Sequence, residues 1–405
     1  MATGIRCEVC GFEARDYLGD HLLEAHGLTT EAYLEAHTGA PTMSKRLQDA
    51  FEARPSPRRE HPPKLDNLIL EFAGMSFPVY ANVPAEACLK RPAHYRIPQH
   101  GPLKEDIQHL ALALADSTAP AIFIHGEAGC GKDAVFHEWS GKHRRPGLLF
   151  QMIPGTDIQA WFYTREFNEQ GTYFAEGPLL KALRDGYTCP DGTVIPYLIL
   201  ITDFDRADRA QAEYLRLIID SIEGRVAGPN GRVYKVLEGT IIAATANSAG
   251  AGDTRGRYIS ANPLDASILD RFEVALKFHQ LEWADEKHIV RAKFPQLAEK
   301  VPAIFKTMGR ITTALRKSIE NEELYAEFSH RAVCAILRHA NRLINRKGQG
   351  IPKDLFGQAT RVWIDKLPDE DVRQTAINIM DPHITGGLLK AGNATQSSGS
   401  LGGFA

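Results

Sequence analysis

Glycines and a lysine are concentrated in one short loop, in a combination that can bind phosphate. The loop follows an apolar stretch, residues 121–125, and precedes a stretch with helical apolar spacing. Glycines let backbone N–H groups turn inward around phosphate oxygens, the N-terminus of the next helix attracts negative charge, and the lysine reaches the terminal phosphates. We therefore predict a nucleotide site formed by Gly126, Glu127, Ala128, Gly129, Cys130, Gly131, Lys132 and Asp133.

One residue of this loop and the end of a second strand depart from the usual pattern. The position after the lysine normally holds Ser or Thr, whose hydroxyl ligates Mg²⁺, but here it is Asp133. A second buried strand is predicted over residues 197–201, and it runs into Thr202 and Asp203. A third is predicted over residues 240–245. Strands that alternate with helices over this length indicate a parallel sheet with helices on both faces.

The order of these motifs resembles the MoxR-type AAA+ ATPases and, within them, the CobS subunit of cobaltochelatase. In those families the second strand ends in an Asp-Glu pair shortly followed by Arg-Ala, which Arg206 and Ala207 match here. The resemblance then implies that Thr202 occupies the motif position of the Asp on the magnesium side. It likewise implies that Asp203 occupies the position of the Glu that activates water. Together with Asp133 this implies an exchange, in which the carboxylate moves to the phosphate loop and the hydroxyl to the second strand.

Two alternatives to this exchange stay open. A second register makes Asp203 the magnesium-side acid and Asp205 the base. A degenerate site that binds ATP but scarcely cleaves it is the other alternative, because an Asp base is one methylene shorter than Glu.

The resemblance also implies roles for three residues farther along the chain. Asn247 matches the polar sensor that orients the attacking water. Arg271 matches the arginine finger, which would reach the nucleotide of a neighbouring subunit, although a salt bridge to Asp270 within the chain is the alternative. Arg331 matches the second sensor, which would contact the nucleotide in cis. An arginine acting in trans requires a closed ring, and the family expectation is a hexamer.

Cysteines and histidines near the N-terminus have the spacing of a tetrahedral zinc site. The expected Zn²⁺ ligands are Cys7, Cys10, His21 and His26. Phe12, Leu18 and Leu22 are the expected core of a unit too small to fold without its metal. With the residues that follow, this segment resembles the Ros/MucR-type zinc finger.

The charge of this finger bears on its partner. Residues 1–42 contain seven acidic residues and two arginines, a balance of −5. Contact with DNA phosphates normally requires an excess of Lys and Arg on the docking surface. The charge therefore favours a finger that docks protein, and DNA remains the less favoured partner.

The composition of the whole chain is that of an ordinary globular protein. Its 405 residues are 43% hydrophobic and 24% charged, with a formal net charge of −3. No apolar run is long enough to span a bilayer, and the first residues lack the apolar core of a signal peptide. Four further cysteines are scattered, which fits a reduced compartment. We therefore expect a cytoplasmic protein without a membrane partner.

The predicted architecture is α/β, with a P-loop AAA+ core, a C-terminal helical lid and a small N-terminal zinc finger. The expected segments are the zinc finger (1–42), a Pro/Arg-rich linker (43–64), a pre-core segment with a candidate β-hairpin (65–100), the AAA+ core (101–282), the helical lid (283–370) and a C-terminal tail (371–405), mobile from about residue 386.

The expected function is that of a ring-forming ATPase that uses ATP and Mg²⁺ to remodel a protein, with the finger for docking. The resemblance adds a von Willebrand A-domain protein as a candidate partner. Two alternatives are a nucleic-acid-remodelling ATPase whose finger contacts DNA, and a slow nucleotide-switched scaffold.

Overall fold

The computed structural model describes most of the chain between residues 5 and 384. The described ranges are 5–14, 17–28, 30–37, 40–42, 65–116, 121–168, 171–220, 225–227, 233–250, 261–346 and 350–384. The predicted linker and the predicted mobile tail lie outside the described residues.

The N-terminal unit is a short hairpin followed by two helices. Its elements are β1 (Ile5–Arg6), β2 (Glu13–Ala14), α1 (Gly19–His26) and α2 (Thr30–Ala36). Its buried side chains are Ile5, Cys7, Leu18, Leu22 and Tyr33. The prediction that Phe12 belongs to this core is wrong, because its ring is 48% exposed and stacks on His21, with ring centroids 4.2 Å apart.

A second hairpin, the predicted one, packs on the helix that follows the phosphate loop. It consists of β3 (Leu65–Phe72) and β4 (Met75–Tyr80), which pair antiparallel. In the last turn of that helix, Lys142 Nζ donates to Glu71 O at 2.5 Å. Arg144 donates to Ala81 O at 3.0 Å, and His143 Nε2 lies 3.3 Å from Leu70 O. Basic side chains at a helix C-terminus also complement its dipole.

The core alternates helices and strands, as the sequence pattern predicts. In chain order its elements are α3 (Pro102–Ala115), β5 (Ala121–Gly126), α4 (Lys132–His143), β6 (Gly147–Gln151), α5 (Gln159–Phe162), β7 (Tyr163–Asn168), β8 (Gly171–Glu176), α6 (Pro178–Asp185), β9 (Tyr187–Thr188), β10 (Val194–Ile195), β11 (Leu198–Thr202), α7 (Arg209–Asp220), β12 (Arg225–Ala227), β13 (Val233–Lys235), β14 (Ile241–Ala246), α8 (Ala266–Leu269) and β15 (Val274–Phe278).

Five parallel strands form the central sheet, in the spatial order β15-β5-β14-β11-β6. The strands β11 and β14 are buried along their whole length, because they lie inside the sheet and helices cover both faces. The three predicted strands are confirmed to within one residue at each end. The predicted α/β class is also confirmed.

The C-terminal region is helical, as predicted, but it continues beyond residue 370. Its helices are α9 (Trp283–Lys293), α10 (Pro295–Lys300), α11 (Ala303–Glu320), α12 (His330–Ile344), α13 (Leu355–Ile364) and α14 (Glu370–Met380). Ala376, Met380 and Ile384 are buried in the same core as the preceding helices. The lid therefore includes α14, in a segment expected to be tail. Within the described residues, no helix combines the length and the apolar character that a membrane crossing requires.

Truncating Met380 to Ala is expected to lower the free energy of unfolding by about 2–5 kcal/mol, because it leaves a cavity in the lid core. Urea unfolding of the two variants and the parent measures this. Asn378→Ala, an exposed position of the same helix, is the matched control and is expected to change stability by less than about 0.5 kcal/mol. Equal effects of the two substitutions would contradict the placement of α14 in the lid.

Candidate nucleotide site and metal centre

The phosphate loop joins β5 to α4 through backbone conformations that favour glycine. Gly129 and Gly131 have φ values of +78° and +100°, which L side chains rarely adopt. Gly129 is also restricted by space, because a Cβ atom there would lie 2.8 Å from the Cβ of Ser329 in the lid. The loop is thus shaped by its own backbone and by close approach of the lid.

The lysine of this loop is buried and points back along it. Lys132 Nζ donates to Gly126 O at 2.7 Å, to Glu127 O at 3.0 Å and to Asn247 Oδ1 at 3.1 Å. None of these three oxygen acceptors carries a formal charge, so the ammonium remains suited to an anion. The structure brings together Lys132 and Asn247, which are 115 residues apart in sequence.

The unusual loop acid has a partner that sequence reasoning missed. Asp133 Oδ1 accepts a hydrogen bond of 2.6 Å from Thr245 Oγ1 on β14. Thr245 and Asn247 are two residues apart, and alternate residues of a strand share a face. The available signal was a single hydroxyl inside the apolar run of residues 241–246.

The end of β11 presents a buried hydroxyl and a partly exposed acid. Thr202 is buried at the last position of the strand. Asp203 has a φ of +55°, in the left-handed region that non-glycine residues seldom occupy. Its Oδ2 accepts from Gln151 Nε2 at 3.0 Å, and its Oδ1 lies 3.7 Å from Arg206 Nε.

Asp205 occupies a different environment. Its side chain is buried, and Oδ2 accepts from the backbone amides of Asn247 at 3.0 Å and Ser248 at 2.9 Å. Among the described residues its Oδ1 has no hydrogen-bond partner. Asp205 therefore fixes the backbone just after β14, including Asn247, whose side chain contacts Lys132.

The two predicted arginines lie on different subdomains. Arg271 follows α8, and its guanidinium donates to the carbonyl of Ser267. Its neighbour Phe272 anchors the segment, with its ring centroid 5.3 Å from that of Phe123 on β5. Arg331 is exposed at the second position of α12, two residues after the Ser329 that approaches the phosphate loop.

Residues 121–272 match the family model described as the AAA domain of the dynein-related subfamily. This segment has the P-loop AAA+ fold that the sequence predicts. The match includes the phosphate loop, Thr202, Asp203, Asn247 and Arg271, whereas Arg331 lies beyond it.

Similar solved structures have low sequence identity to this chain. The chain is similar to NtrX of Brucella abortus, solved in complex with ADP, at 12% identity and a TM-score of 0.43 over 72% of this chain and 62% of that one. It therefore spans less than two thirds of NtrX. It is also similar to the Holliday junction branch migration motor RuvB of Thermotoga maritima, at 13% identity and a TM-score of 0.40 over 66% and 72% of the two chains. No match was found among curated proteins.

The four predicted metal ligands converge at one point of the N-terminal unit. Cys7 Sγ lies 3.7 Å from His26 Nε2, and Cys10 Sγ lies 3.1 Å from His21 Nε2. All four ligand atoms lie within 4.8 Å of one another. A tetrahedron with zinc–sulfur and zinc–nitrogen bonds of ordinary length has edges of about 3.6 Å. The donor set and its spacing therefore fit a Zn²⁺ ion.

The double restriction at Gly129 can be separated into its parts by paired substitutions. Gly129→Ala and Gly131→Ala both introduce backbone strain, but only the first places a Cβ against Ser329, since nothing lies within 4 Å at Gly131. We expect Gly129→Ala to lower stability by about 1–3 kcal/mol more than Gly131→Ala does.

The measurement is denaturant unfolding of each alanine variant with and without Ser329→Gly. This change removes the clashing Cβ and is expected to recover part of the loss caused by Gly129→Ala and none of that caused by Gly131→Ala. The same recovery in both backgrounds would contradict the proximity of the lid to the loop.

Proposed function

We propose that the chain is a ring-forming ATPase that couples ATP hydrolysis to the remodelling of a protein partner. The observation that carries the proposal is the contact of Lys132 with Asn247, next to the hydrogen bond between Thr245 and Asp133. The loop after β5 and the end of β14 thus bring a phosphate-binding cation, a polar sensor and an oriented carboxylate together at the carboxyl ends of two adjacent strands. Phosphoryl transfer depends on this kind of positioned charge more than on covalent chemistry.

The metal would be held by Asp133 and Thr202. Bound Mg²⁺ would neutralise charge on the terminal phosphates. The Thr245 hydroxyl occupies Oδ1 of Asp133 and fixes the orientation of the carboxylate. Thr202 is placed at the end of the neighbouring strand β11 and supplies the hydroxyl that the loop lacks.

We assign Asp203 rather than Asp205 as the group that orients and deprotonates the attacking water. One oxygen of Asp205 already accepts two backbone amides, and the side chain is 1% exposed. Asp203 is 24% exposed, and Gln151 holds one of its oxygens in place. A general base must reach its water, and only Asp203 combines access with orientation.

Exposed aromatic residues favour a polypeptide as the remodelled partner. The hairpin β7–β8 carries Phe167, which is 78% exposed, and Tyr173, which is 43% exposed. Rings held on a paired hairpin offer apolar contact area at low entropic cost. With the acidic finger, this surface supports protein over DNA. The resemblance to MoxR-type ATPases supports a von Willebrand A-domain partner and a hexamer in which Arg271 acts in trans.

ATP turnover measured against protein concentration tests the ATPase and the ring together. The rate per subunit is expected to rise with concentration and to fall at least about 100-fold in Lys132→Ala, Asp203→Asn and Arg271→Ala. Arg310→Ala, an exposed arginine on α11, is the matched control and should leave the rate unchanged. A rate per subunit independent of concentration would contradict the trans arginine.

Binding and turnover together distinguish the two registers and the scaffold alternative. Asp203→Asn is expected to keep ATP binding and lose turnover. Asp205→Asn should lower thermal stability, because its buried carboxylate accepts hydrogen bonds from two backbone amides. Full turnover in Asp203→Asn would overturn the assignment. ATP binding without turnover in the parent would make the chain a nucleotide-switched scaffold.

We also propose that the Cys7, Cys10, His21 and His26 cluster binds Zn²⁺ and that this unit docks the partner. Elemental analysis of the full-length protein is expected to find about one zinc per chain, lost in Cys10→Ser and kept in Cys88→Ser, because Cys88 lies outside the cluster. Amide exchange over residues 5–42 should then rise in Cys10→Ser alone. Zinc retained by Cys10→Ser would contradict the site.

A further inference from the structure

A buried cluster of charged side chains lies in the lid, apart from the residues assigned to nucleotide chemistry. At its centre Glu286 on α9 is 0% exposed. One of its oxygens lies 2.8 Å from His330 Nδ1, and the other lies 2.9 Å from Arg316 Nη1. Arg316 also donates to the carbonyls of Leu281 at 2.6 Å and Phe328 at 3.1 Å. One carboxylate thus joins α9 and α11 to the start of α12.

The second nitrogen of this histidine faces a thiol. His330 Nε2 lies 3.2 Å from Cys334 Sγ, one turn along α12. Lys293 Nζ lies 3.5 Å from the same sulfur. The order carboxylate, imidazole, thiol is the arrangement that activates cysteine as a nucleophile. Two nitrogen groups that can carry positive charge beside one sulfur favour its thiolate form.

The ionisation of the pair follows from these contacts. Burial opposes the charge on His330, but Cys334 and Glu286 outweigh it and raise its pKa to about 9. Burial likewise opposes the thiolate, yet His330 and Lys293 lower the pKa of Cys334 below its ordinary value. Cys88 shows the contrast, since burial raises the pKa of its thiol to about 11.

The pair contacts an exposed lysine and is adjacent in sequence to the residue that approaches the phosphate loop. Cys334 is 4% exposed, but the Lys293 that lies against its sulfur is an exposed residue. The sulfur therefore has an exposed residue as a direct neighbour. In the other direction, His330 stands between Ser329, which approaches Gly129 of the loop, and Arg331, the proposed sensor.

We propose that Cys334 is an oxidation site of the lid, at which a hydroperoxide converts the thiolate to a sulfenic acid. The sulfur lone pair attacks one peroxide oxygen, an S–O bond forms and the O–O bond breaks. Sulfur loses two electrons, and the peroxide is reduced to hydroxide or alkoxide, which takes a proton from the His330 imidazolium or from water. The sulfenic acid is neutral, so the ion pair with His330 is lost.

The consequence for activity rests on the proposed ATPase function. Loss of the ion pair removes the anion that fixes His330 from within α12. The first turn of that helix, with Ser329 and Arg331 on either side of His330, then keeps the Glu286 contact but loses one of the two side-chain contacts that hold His330. Oxidised protein should therefore turn over ATP more slowly than reduced protein.

The thiol chemistry is tested on the full-length protein without reference to ATP. Iodoacetamide labelling from pH 5.5 to 9, resolved by cysteine with mass spectrometry, should label Cys334 at least about tenfold faster than Cys88 at pH 7, because far more of Cys334 is thiolate. In His330→Gln the midpoint of the Cys334 profile should move upward. Lys293→Gln, a surface change, should shift it the same way and serves if His330→Gln does not fold.

Two results would overturn the site. Cys334 that stays unlabelled in the folded protein, or that has the same midpoint in the parent as in both variants, is not an activated thiol. Hydrogen peroxide followed by dimedone should trap a sulfenic acid at Cys334 in the parent and far less in His330→Gln. Equal trapping at Cys334 and Cys88 would also contradict the proposal.

A separate experiment tests whether oxidation of Cys334 slows ATP turnover. Peroxide should slow ATP turnover by the parent and by Cys88→Ser, while Cys334→Ser should be insensitive. Slowing of Cys334→Ser to the same extent as the parent would place the effect at another residue and overturn the coupling. A parent without turnover would contradict the proposed function and leave the labelling result intact.

Discussion

Pairing of β14 with β5 is the constraint on which the candidate site depends. The two strands are parallel neighbours, with Thr245 opposite Ile124 and Ala246 opposite His125. This register sets the end of β14 beside the beginning of the phosphate loop. A slip of one residue would turn Thr245 and the sensor position to the other face, and both Lys132 and Asp133 would lose the partners that hold them.

Charges taken out of water are stabilised here in three different ways. The Lys132 ammonium donates hydrogen bonds to neutral oxygens, and the Asp205 carboxylate accepts them from backbone amides. The Glu286 carboxylate lies between two side chains that can carry positive charge. A buried charge that loses its partner is strongly destabilising, whereas an intact pair contributes little net stability. Such groups therefore fix geometry more than they raise stability, and all three lie where the loop, the sensor or the lid must be held.

The sequence predicts an element well where that element has a distinct apolar pattern of its own. It predicts contacts between elements less well. The strands β5, β11 and β14 are continuous apolar runs because helices cover both faces, and all three could be predicted. The strands β6 and β15 are sheet edges with partly exposed side chains, so their pattern lacks such a run. The helix α14 was missed because Pro368 before it indicates the end of a helical region, although Val372, Ala376 and Met380 recur at intervals of four. The hydrogen bond from Thr245 to Asp133 and the buried Glu286 arise from tertiary packing, which spacing along the chain does not encode.

Because the β3–β4 hairpin docks on α4, a different feature is attached to each end of this helix. Its N-terminus bears the phosphate loop, and its last turn holds the hairpin through Lys142, His143 and Arg144. A helix of this length is about 18 Å long and rigid along its axis. A displacement of the hairpin would therefore move the end of α4 that it contacts. Because the helix is rigid, the same displacement would change the position of the phosphate loop at its other end.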